Sequence, residues 1–315
     1  MAIICFAFFI PSKYNYIAGM PILFAIAGAT GIGKSRLSLD LAERFDAEII
    51  GVDSRQIYTG FAIGTAQPSP AEMERVKHHM VNFLDPRETF SAGDFCRNVR
   101  ELLEANPGRN YIAVGGTGLY LQSLMLGLPK IPKIEPGVRA GLEEKAVCEG
   151  LDSLFKTAQE VDPEAMAGVE KENAQRIIRI LEVWQATGRK LSDWQKEREG
   201  GIGQVPVFWL QRSRENLYAR INARVDKMMA DGWLDEVHRL AKNVPLDAPA
   251  WQSLGYRELL QATSPADVAR VVDEVKRKTR NYAKRQLTWF RWQIPSVSVD
   301  LETLANPYEY IVGQI

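Results

Sequence analysis

The stretch GATGIGKS, residues 28–35, decides the fold of this 315-residue chain. It fits the pattern G-x-x-x-x-G-K-[ST], in which backbone N–H groups close around phosphate oxygens at the start of a helix. In this pattern Lys34 neutralises phosphate charge and the Ser35 hydroxyl can hold Mg²⁺. We therefore expect Mg²⁺ as a cofactor and a phosphate site formed by Gly28, Ala29, Thr30, Gly31, Ile32, Gly33, Lys34 and Ser35.

The segments around this loop alternate between strand and helix patterns. Continuous apolar runs, typical of buried parallel strands, are PILFAIAG (21–28), AEIIGV (47–52) and NYIAVGG (110–116). Helix patterns follow the loop at 34–45 and, after the Ser91 cap, at 91–106. This alternation predicts an α/β fold with a P-loop NTPase-like parallel sheet core.

The pattern changes after Gly127. A proline-rich connection at 128–137 leads into residues 138–199, which carry helix patterns and no strand signal. VPVFWLQ (205–211) has strand character again, one long helix is predicted over 214–241, and helices fill 251–292. We expect a P-loop α/β core domain at 20–125 and 203–315 with a helical C-terminal region, an all-helical insertion domain at 126–202, and a dispensable extension at 1–19.

Charge and composition exclude some classes of protein. The 39 basic and 39 acidic residues cancel, so the chain as a whole does not attract nucleic acid. The exception is a run of seven cations without an acidic residue at 276–291, which is either a solvated helix face or a surface for a phosphate backbone.

Three cysteines without a CxxC pair favour the reducing cytoplasm. The apolar run IICFAFFI is too short to span a membrane, so we expect no membrane partner.

The ligand of the loop is not defined by the loop alone. NYIAVGG ends in glycines where an ATPase or GTPase usually carries a magnesium-binding Asp, and no N-K-x-D motif is present. The polar residue at a strand end is Asp53. A carboxylate there can bind Mg²⁺, cap a helix or act as a general base.

Seven ordered stretches together resemble the tRNA dimethylallyltransferase family. The most specific are DSRQIY (53–58) followed by IGTA (63–66), both within the single stretch VDSRQIYTGFAIGTAQP (52–68), and GGTGLY (115–120). The others are GATGIGKS, HHMVNFLDPRETFSAGDF (78–95), ENAQRIIRILEVWQATGR (172–189), LGYREL (254–259) and AKRQLTWFR (283–291). The resemblance covers about Pro21 to Trp292. The chain carries no zinc-finger cysteines of the kind that eukaryotic relatives add, which indicates a bacterial form.

The resemblance implies a prenyl transfer. A dimethylallyl group would pass from dimethylallyl diphosphate to the exocyclic amine of the adenosine next to the anticodon, at tRNA position 37, so that the loop holds a diphosphate and not ATP. Asp53 matches the family's general base, Thr117 a residue at the reacting adenosine, and Arg224 an arginine on the diphosphate. Arg220 lies four residues before Arg224, on the same helical face.

The resemblance also implies contacts with the anticodon stem-loop of tRNA. The family draws the target base out of the loop into a channel, at the cost of unstacking. The matching tRNA-binding residues are Asp53, Ser54, Arg55, Gln56, Thr117, Arg139, Gln175, Arg176, Arg179, Lys284 and Arg285. A tRNA surface of this size makes a monomer our expectation.

Departures and rival interpretations remain at this point. Gln67 and Asn82 replace the family's usual Lys and Asp, which affects fine substrate contacts only. The main alternative is a P-loop kinase for a nucleoside or small metabolite, with the helical insertion as its lid. Two others are a prenyltransferase for free adenine nucleotides and a non-catalytic RNA-binding module. The pair His78–His79 is predicted to be structural.

Overall fold

A parallel sheet carries the phosphate loop at the end of its central strand. The computed structural model describes residues 21–315, so the predicted extension at 1–19 lies outside the described residues. The eight strands of this part are β1 (Ile22–Ala27), β2 (Ala47–Val52), β3 (His78–His79), β4 (Asn110–Gly115), β5 (Leu128–Pro129), β6 (Arg198–Glu199), β7 (Val207–Gln211) and β8 (Val297–Asp300).

Fourteen helices occur within residues 21–315. They are α1 (Lys34–Arg44), α2 (Pro70–Arg75), α3 (Ala92–Ala105), α4 (Gly118–Leu126), α5 (Pro136–Cys148), α6 (Leu151–Val161), α7 (Pro163–Met166), α8 (Ala174–Thr187), α9 (Leu191–Lys196), α10 (Arg214–Ala230), α11 (Trp233–Ala241), α12 (Tyr256–Leu260), α13 (Pro265–Gln293) and α14 (Pro307–Val312). A short 3₁₀ turn spans Pro249–Gln252.

Six strands form one sheet in the order β3-β2-β4-β1-β7-β8, and every neighbouring pair is parallel. All six residues of β1 are buried, as a strand covered on both faces requires. The predicted α/β fold with a parallel core is confirmed. The two edge strands β3 and β8 were not predicted, because segments of two and four residues are too short to carry a strand pattern.

The single helix predicted over 214–241 is wrong. The chain forms α10 and α11, separated at Asp231 and Gly232. Gly232 has a φ of 95°, a left-handed conformation that ends a right-handed helix and costs glycine little. The apolar spacing continues across the break, which is why the pattern alone reads as one helix.

The chain divides into two compact units, residues 21–122 with 204–315, and residues 123–203. In the second unit, helices α5, α6 and α8 enclose a separate apolar core that includes Phe155, Ile177 and Leu181. This segment is not purely helical, because β5 and β6 pair antiparallel near its ends. Gly127 approaches Glu199 so closely that a Cβ atom would overlap its carbonyl, so the pairing depends on a contact between segments far apart in sequence.

Two apolar clusters stabilise the first unit. One joins β1, α1 and α10 around Phe24, Phe208 and Leu217. The other packs α11, α12 and α13 against the chain after β2, with Trp233, Trp251 and Tyr256 fully buried. The site described below lies in this unit, where both clusters contribute side chains.

Candidate active site

The phosphate loop connects β1 to α1 with the geometry that the sequence predicts. Gly31 and Gly33 have φ values of 76° and 116°, which residues with a Cβ rarely adopt. A Cβ on Gly31 would also come within 3.0 Å of the Ile221 side chain, so α10 packs directly on the loop. Ser35 is exposed in the first turn of α1. The loop is therefore shaped to present backbone N–H groups and the Ser35 hydroxyl to a ligand.

Lys34 folds back over the loop. Its Nζ donates hydrogen bonds to the carbonyl oxygens of Gly28 (2.9 Å) and Ala29 (3.0 Å). Burial, together with the nearby Arg224 cation, lowers the pKa of Lys34 to about 8, although the Asp53 carboxylate opposes this shift. An anion bound at the loop would remove this electrostatic penalty.

Three arginines surround the same loop: Arg212 directly follows β7, and Arg220 and Arg224 lie on α10. Arg220 Nε donates to the carbonyl of Gly31 at 3.0 Å, and Arg212 Nε donates to that of Ile32 at 2.9 Å. Arg224 lies one turn further along α10, and burial lowers its pKa while the Asp53 carboxylate raises it. Arg212 was not predicted, because it lies outside the segments whose pattern suggests phosphate binding.

Asp53 begins a tight turn at the end of β2. Its Oδ1 accepts hydrogen bonds from the backbone N–H groups of Arg55 (2.8 Å) and Gln56 (3.3 Å). These bonds hold the carboxylate in a fixed orientation and make Oδ2 the oxygen available to a substrate. Asp53 therefore has a structural role, because its side chain caps its own turn. This role is compatible with a second one as a general base.

Thr117 joins the end of β4 to this turn. Its Oγ1 accepts a hydrogen bond from the backbone N–H of Ser54 at 3.0 Å. The neighbouring Gly115 and Gly118 are required by close packing, because a Cβ atom would overlap the Val52 backbone in the first case and the Trp289 ring in the second. The glycines of GGTG thus bring Thr117 to the turn of Asp53.

One pocket lies between these groups, with an empty volume of about 690 Å³, part of it open to solvent. Its polar side chains include Thr30, Asp53, Arg55 and Arg224, and Tyr282 of α13 lies beside them. Burial raises the pKa of Tyr282, so its hydroxyl stays protonated at neutral pH. The apolar lining is formed by Ile221, Val225, Met228, Trp233, Leu254 and Val275.

The side chain of Arg55 can contact a ligand in the pocket, whereas that of Gln56 is occupied by hydrogen bonds within the protein. Arg55 lines the pocket. The side-chain amide of Gln56 donates to the carbonyls of Thr65 (3.1 Å) and Ala66 (2.7 Å). Gln67 completes this loop, since its Nε2 donates to the backbone carbonyl of Gln56 at 2.9 Å. The departure at Gln67 therefore stabilises the turn that carries Asp53.

The basic run of α13 is partly neutralised by residues distant in sequence. Lys276 pairs with Asp226 at 2.6 Å, and Lys278 pairs with Glu258 at 2.7 Å. In the described part of the chain, no ion pair is formed by Arg277, Lys284, Arg285 or Arg291, which are exposed. Within the same helix Phe290 is buried and Trp292 is 74% exposed.

The predicted residues of the second unit lie on α5 and α8. Arg139 and Arg179 share the carboxylate of Glu182, at 3.7 and 2.9 Å. Gln175 and Arg176 are exposed in the first turn of α8. Arg139 of α5 and Arg179 of α8 thus meet at one carboxylate, between two helices that share an apolar core. The pair Gln175 and Arg176 lies within α8 alone and is exposed to solvent.

The histidine pair has structural partners. His79 Nε2 lies 2.6 Å from Glu48, and His78 Nδ1 lies 2.7 Å from the carbonyl of Val76.

Among residues 21–315 no group of three or more His, Cys, Asp or Glu side chains is arranged to hold a metal. No helix in this part of the chain is long and apolar enough to cross a membrane.

Sequence reasoning missed several residues that build the site. Gln286 bonds to the phosphate loop, Trp233 and Tyr282 line the pocket, and Glu236 holds a loop of the pocket wall. Gln286 and Tyr256 lie in the stretches AKRQLTWFR and LGYREL, which signalled the resemblance without showing what each side chain does.

By its fold and its loop this chain is an α/β protein of the P-loop type. The model of the IPP transferase family matches residues 56–293, and the chain belongs to that family.

Similar proteins support this assignment over most of the chain. The tRNA dimethylallyltransferase of Salinibacter ruber is 43% identical, with 87% of this chain and 86% of the relative aligned. That of Halorhodospira halophila is 40% identical, over 94% and 98%. The crystal structure of a tRNA isopentenylpyrophosphate transferase from Staphylococcus epidermidis matches with a TM-score of 0.65 and 31% identity, covering 93% of this chain and 98% of the other. A eukaryotic dimethylallyltransferase acting on tRNA matches with a TM-score of 0.73 and 28% identity, covering 89% and 73%.

Proposed function

We propose that this enzyme transfers a dimethylallyl group from dimethylallyl diphosphate to N6 of the adenosine at position 37, 3′ to the anticodon, in tRNAs that read codons starting with U. The observation that carries the proposal is the pocket itself. Asp53 and Arg224 line it together with six apolar side chains, beside a phosphate loop. A prenyl diphosphate has the matching composition, a charged head and an apolar tail.

The reaction requires one bond to form and one to break. The N6 nitrogen of adenine attacks C1 of the dimethylallyl group, the C1–O bond breaks, and diphosphate leaves with the bonding electrons. Asp53 accepts the proton that N6 loses, with its carboxylate oriented by the N–H groups of Arg55 and Gln56. We infer that Thr117, whose Oγ1 accepts a hydrogen bond from the Ser54 N–H, orients the adenine.

The leaving diphosphate is stabilised by positive charge. Lys34, Arg220 and Arg224 surround the loop, and in the ligand complex we expect Lys34 to exchange its carbonyl partners for phosphate oxygens. The residues present fit a magnesium ion, because Ser35 offers a hard oxygen donor in an exposed position beside the loop. When bound, Mg²⁺ would offset the charge of the diphosphate.

The tRNA is proposed to contact both units of the chain. Exposed cations on α13, including Lys284 and Arg285, suit the phosphate backbone, and the polar faces of α5 and α8 in the insertion offer Arg139, Gln175, Arg176 and Arg179. We further propose that the enzyme acts as a monomer in the cytoplasm, where its tRNA substrate is found. Light scattering on the purified protein, with and without tRNA, tests the oligomeric state.

A transfer assay tests the function. Protein, Mg²⁺, dimethylallyl diphosphate and unmodified tRNA carrying adenosine 37 are incubated, the tRNA is digested, and its nucleosides are separated by mass. We expect N6-(dimethylallyl)adenosine, with no turnover of ATP in a parallel reaction. Phosphate transfer from ATP without prenylation would establish the kinase alternative instead. Free AMP replaces tRNA in a third reaction, and preferential prenylation of AMP would reassign the acceptor.

A further inference from the structure

The pocket changes in character along α10. Ile221 packs on the phosphate loop, Arg224 lies on the same helix face one turn later, and Met228 follows after another turn. At 1.5 Å per residue, Ile221 and Met228 are about 10 Å apart along the axis. A diphosphate at the loop therefore directs its organic substituent towards the apolar end, where α11 begins.

Trp233 forms the wall at this end. It is the first residue of α11, it is 1% exposed, and its ring lines the pocket. The ring is wedged between two glycines, since a Cβ atom on either Gly64 or Gly255 would overlap it. Its Nε1 has no hydrogen-bond partner among the described residues, so packing alone holds the ring in place.

A buried carboxylate, that of Glu236, fixes the position of Trp233. Glu236, one turn after Trp233, is 2% exposed and accepts hydrogen bonds from the backbone N–H groups of Ala62 (3.2 Å) and Ile63 (2.9 Å). The Tyr256 hydroxyl donates to the same carboxylate at 2.6 Å and accepts from Gly64 N–H at 3.1 Å. The loop that carries Gly64 is therefore tied to α11 and α12, and Trp233 cannot shift without breaking these bonds.

We propose that Trp233 is the specificity-determining residue that limits the prenyl donor to five carbons. This inference rests on the proposed function. The pocket must hold the adenine and the prenyl group together, and its far end is closed by a ring that cannot move. A geranyl chain carries a second isoprene unit of five carbons, which would meet the indole. A smaller side chain at position 233 opens the space for that unit.

The test compares donors in Trp233→Leu, with Trp251→Leu as the matched control. Trp251 is a tryptophan of the same cluster and is 0% exposed, but it does not line the pocket. The measured quantity is the kcat/KM for geranyl diphosphate divided by the kcat/KM for dimethylallyl diphosphate, with the same tRNA. We expect this ratio to rise by at least about tenfold in Trp233→Leu and to stay constant in Trp251→Leu.

Trp233→Phe is measured alongside, because it preserves an aromatic ring next to Tyr256, whose centroid lies 5.6 Å from that of Trp233. Circular dichroism melting identifies which variants are folded. An unchanged ratio in the folded Trp233 variants, or an equal rise in Trp251→Leu, overturns the inference. Absence of dimethylallyl transfer by the wild-type enzyme is a different result, since it overturns the proposed function.

Discussion

The backbone N–H of Thr30 donates a hydrogen bond to the side-chain amide oxygen of Gln286 at 2.9 Å, which joins the phosphate loop to a helix 256 residues away in sequence. The amide nitrogen of Gln286 donates to the carbonyl of Gly116, also at 2.9 Å. Gln286 is only 6% exposed, so water does not replace either bond. One side chain thus sets the separation between the phosphate loop and the loop that carries Thr117.

Replacing Gln286 with Ala should impair catalysis more than folding. Two backbone groups lose their partners, the buried Gly116 carbonyl and the half-buried Thr30 N–H, which costs about 1–3 kcal/mol of the free energy of unfolding. The phosphate loop and Thr117 would then no longer be held in register, and small misplacements of reacting groups cost about 100-fold in rate. Single-turnover transfer kinetics and urea unfolding measure the two effects. The exposed Gln293→Ala on the same helix is the control, and an unchanged rate in Gln286→Ala would contradict the positioning role.

Replacing Asp53 with Asn should abolish most of the transfer and preserve tRNA binding. The amide oxygen of Asn can still accept the hydrogen bond from Arg55 N–H, so the turn is kept while the proton acceptor is lost. A general base contributes about 10²–10⁴-fold, and we expect the single-turnover rate to fall by that amount. Filter binding with labelled tRNA provides the control. Near-normal turnover in this variant would remove Asp53 as the base.

The pKa of Lys34, lowered to about 8 by burial and Arg224, predicts a pH-dependent reactivity of its amine. Labelling of Lys34 by an amine reagent, followed by peptide mass spectrometry, should show a midpoint near pH 8 in the free protein. Inorganic pyrophosphate should raise this midpoint, because the bound anion favours the charged amine. A midpoint that is unaffected by pyrophosphate would place the anion elsewhere.

The same shift affects stability with a defined sign. Between about pH 8 and the ordinary lysine pKa of 10.5, the unfolded chain binds the Lys34 proton and the folded chain does not. The contribution of Lys34 to the free energy of unfolding therefore rises with pH across this window and is least favourable below it. Urea unfolding of wild type and Lys34→Met at pH 7 and pH 10 isolates this contribution. The free energy of unfolding of wild type minus that of Lys34→Met should be larger at pH 10 than at pH 7.

The unpaired cations of α13 should contribute to tRNA affinity through salt-dependent contacts. If Lys284 and Arg285 each contact a phosphate, the double replacement by Ala should reduce the slope of log K against log salt concentration by about 1.4–1.8. Lys276→Ala is the matched control, since Lys276 is neutralised by Asp226 at 2.6 Å in the same helix. A binding constant that does not depend on salt would contradict this surface assignment.

Local sequence patterns predicted the centre of the site. The phosphate loop, Asp53 at the end of β2 and Thr117 after β4 each follow a buried strand, and parallel strands bring their carboxyl ends to one edge. The break at Gly232 and the short strands β3 and β8 were not predicted. Apolar periodicity continues across the break at Gly232, and the strands β3 and β8 are too short to show a period.

By itself the sequence determined the parallel α/β core, the phosphate loop and the family resemblance, because strand hydrophobicity, glycine spacing and ordered motifs are local properties of the chain. Only the tertiary structure decided that Gln286 bonds to Thr30, that Trp233 lines the pocket, and that Lys276 is neutralised while Lys284 is not. These roles depend on which side chains meet after folding. A contact between residues hundreds of positions apart has no period and no spacing in the sequence, so its effect on burial, charge and hydrogen bonding exists only in the folded chain.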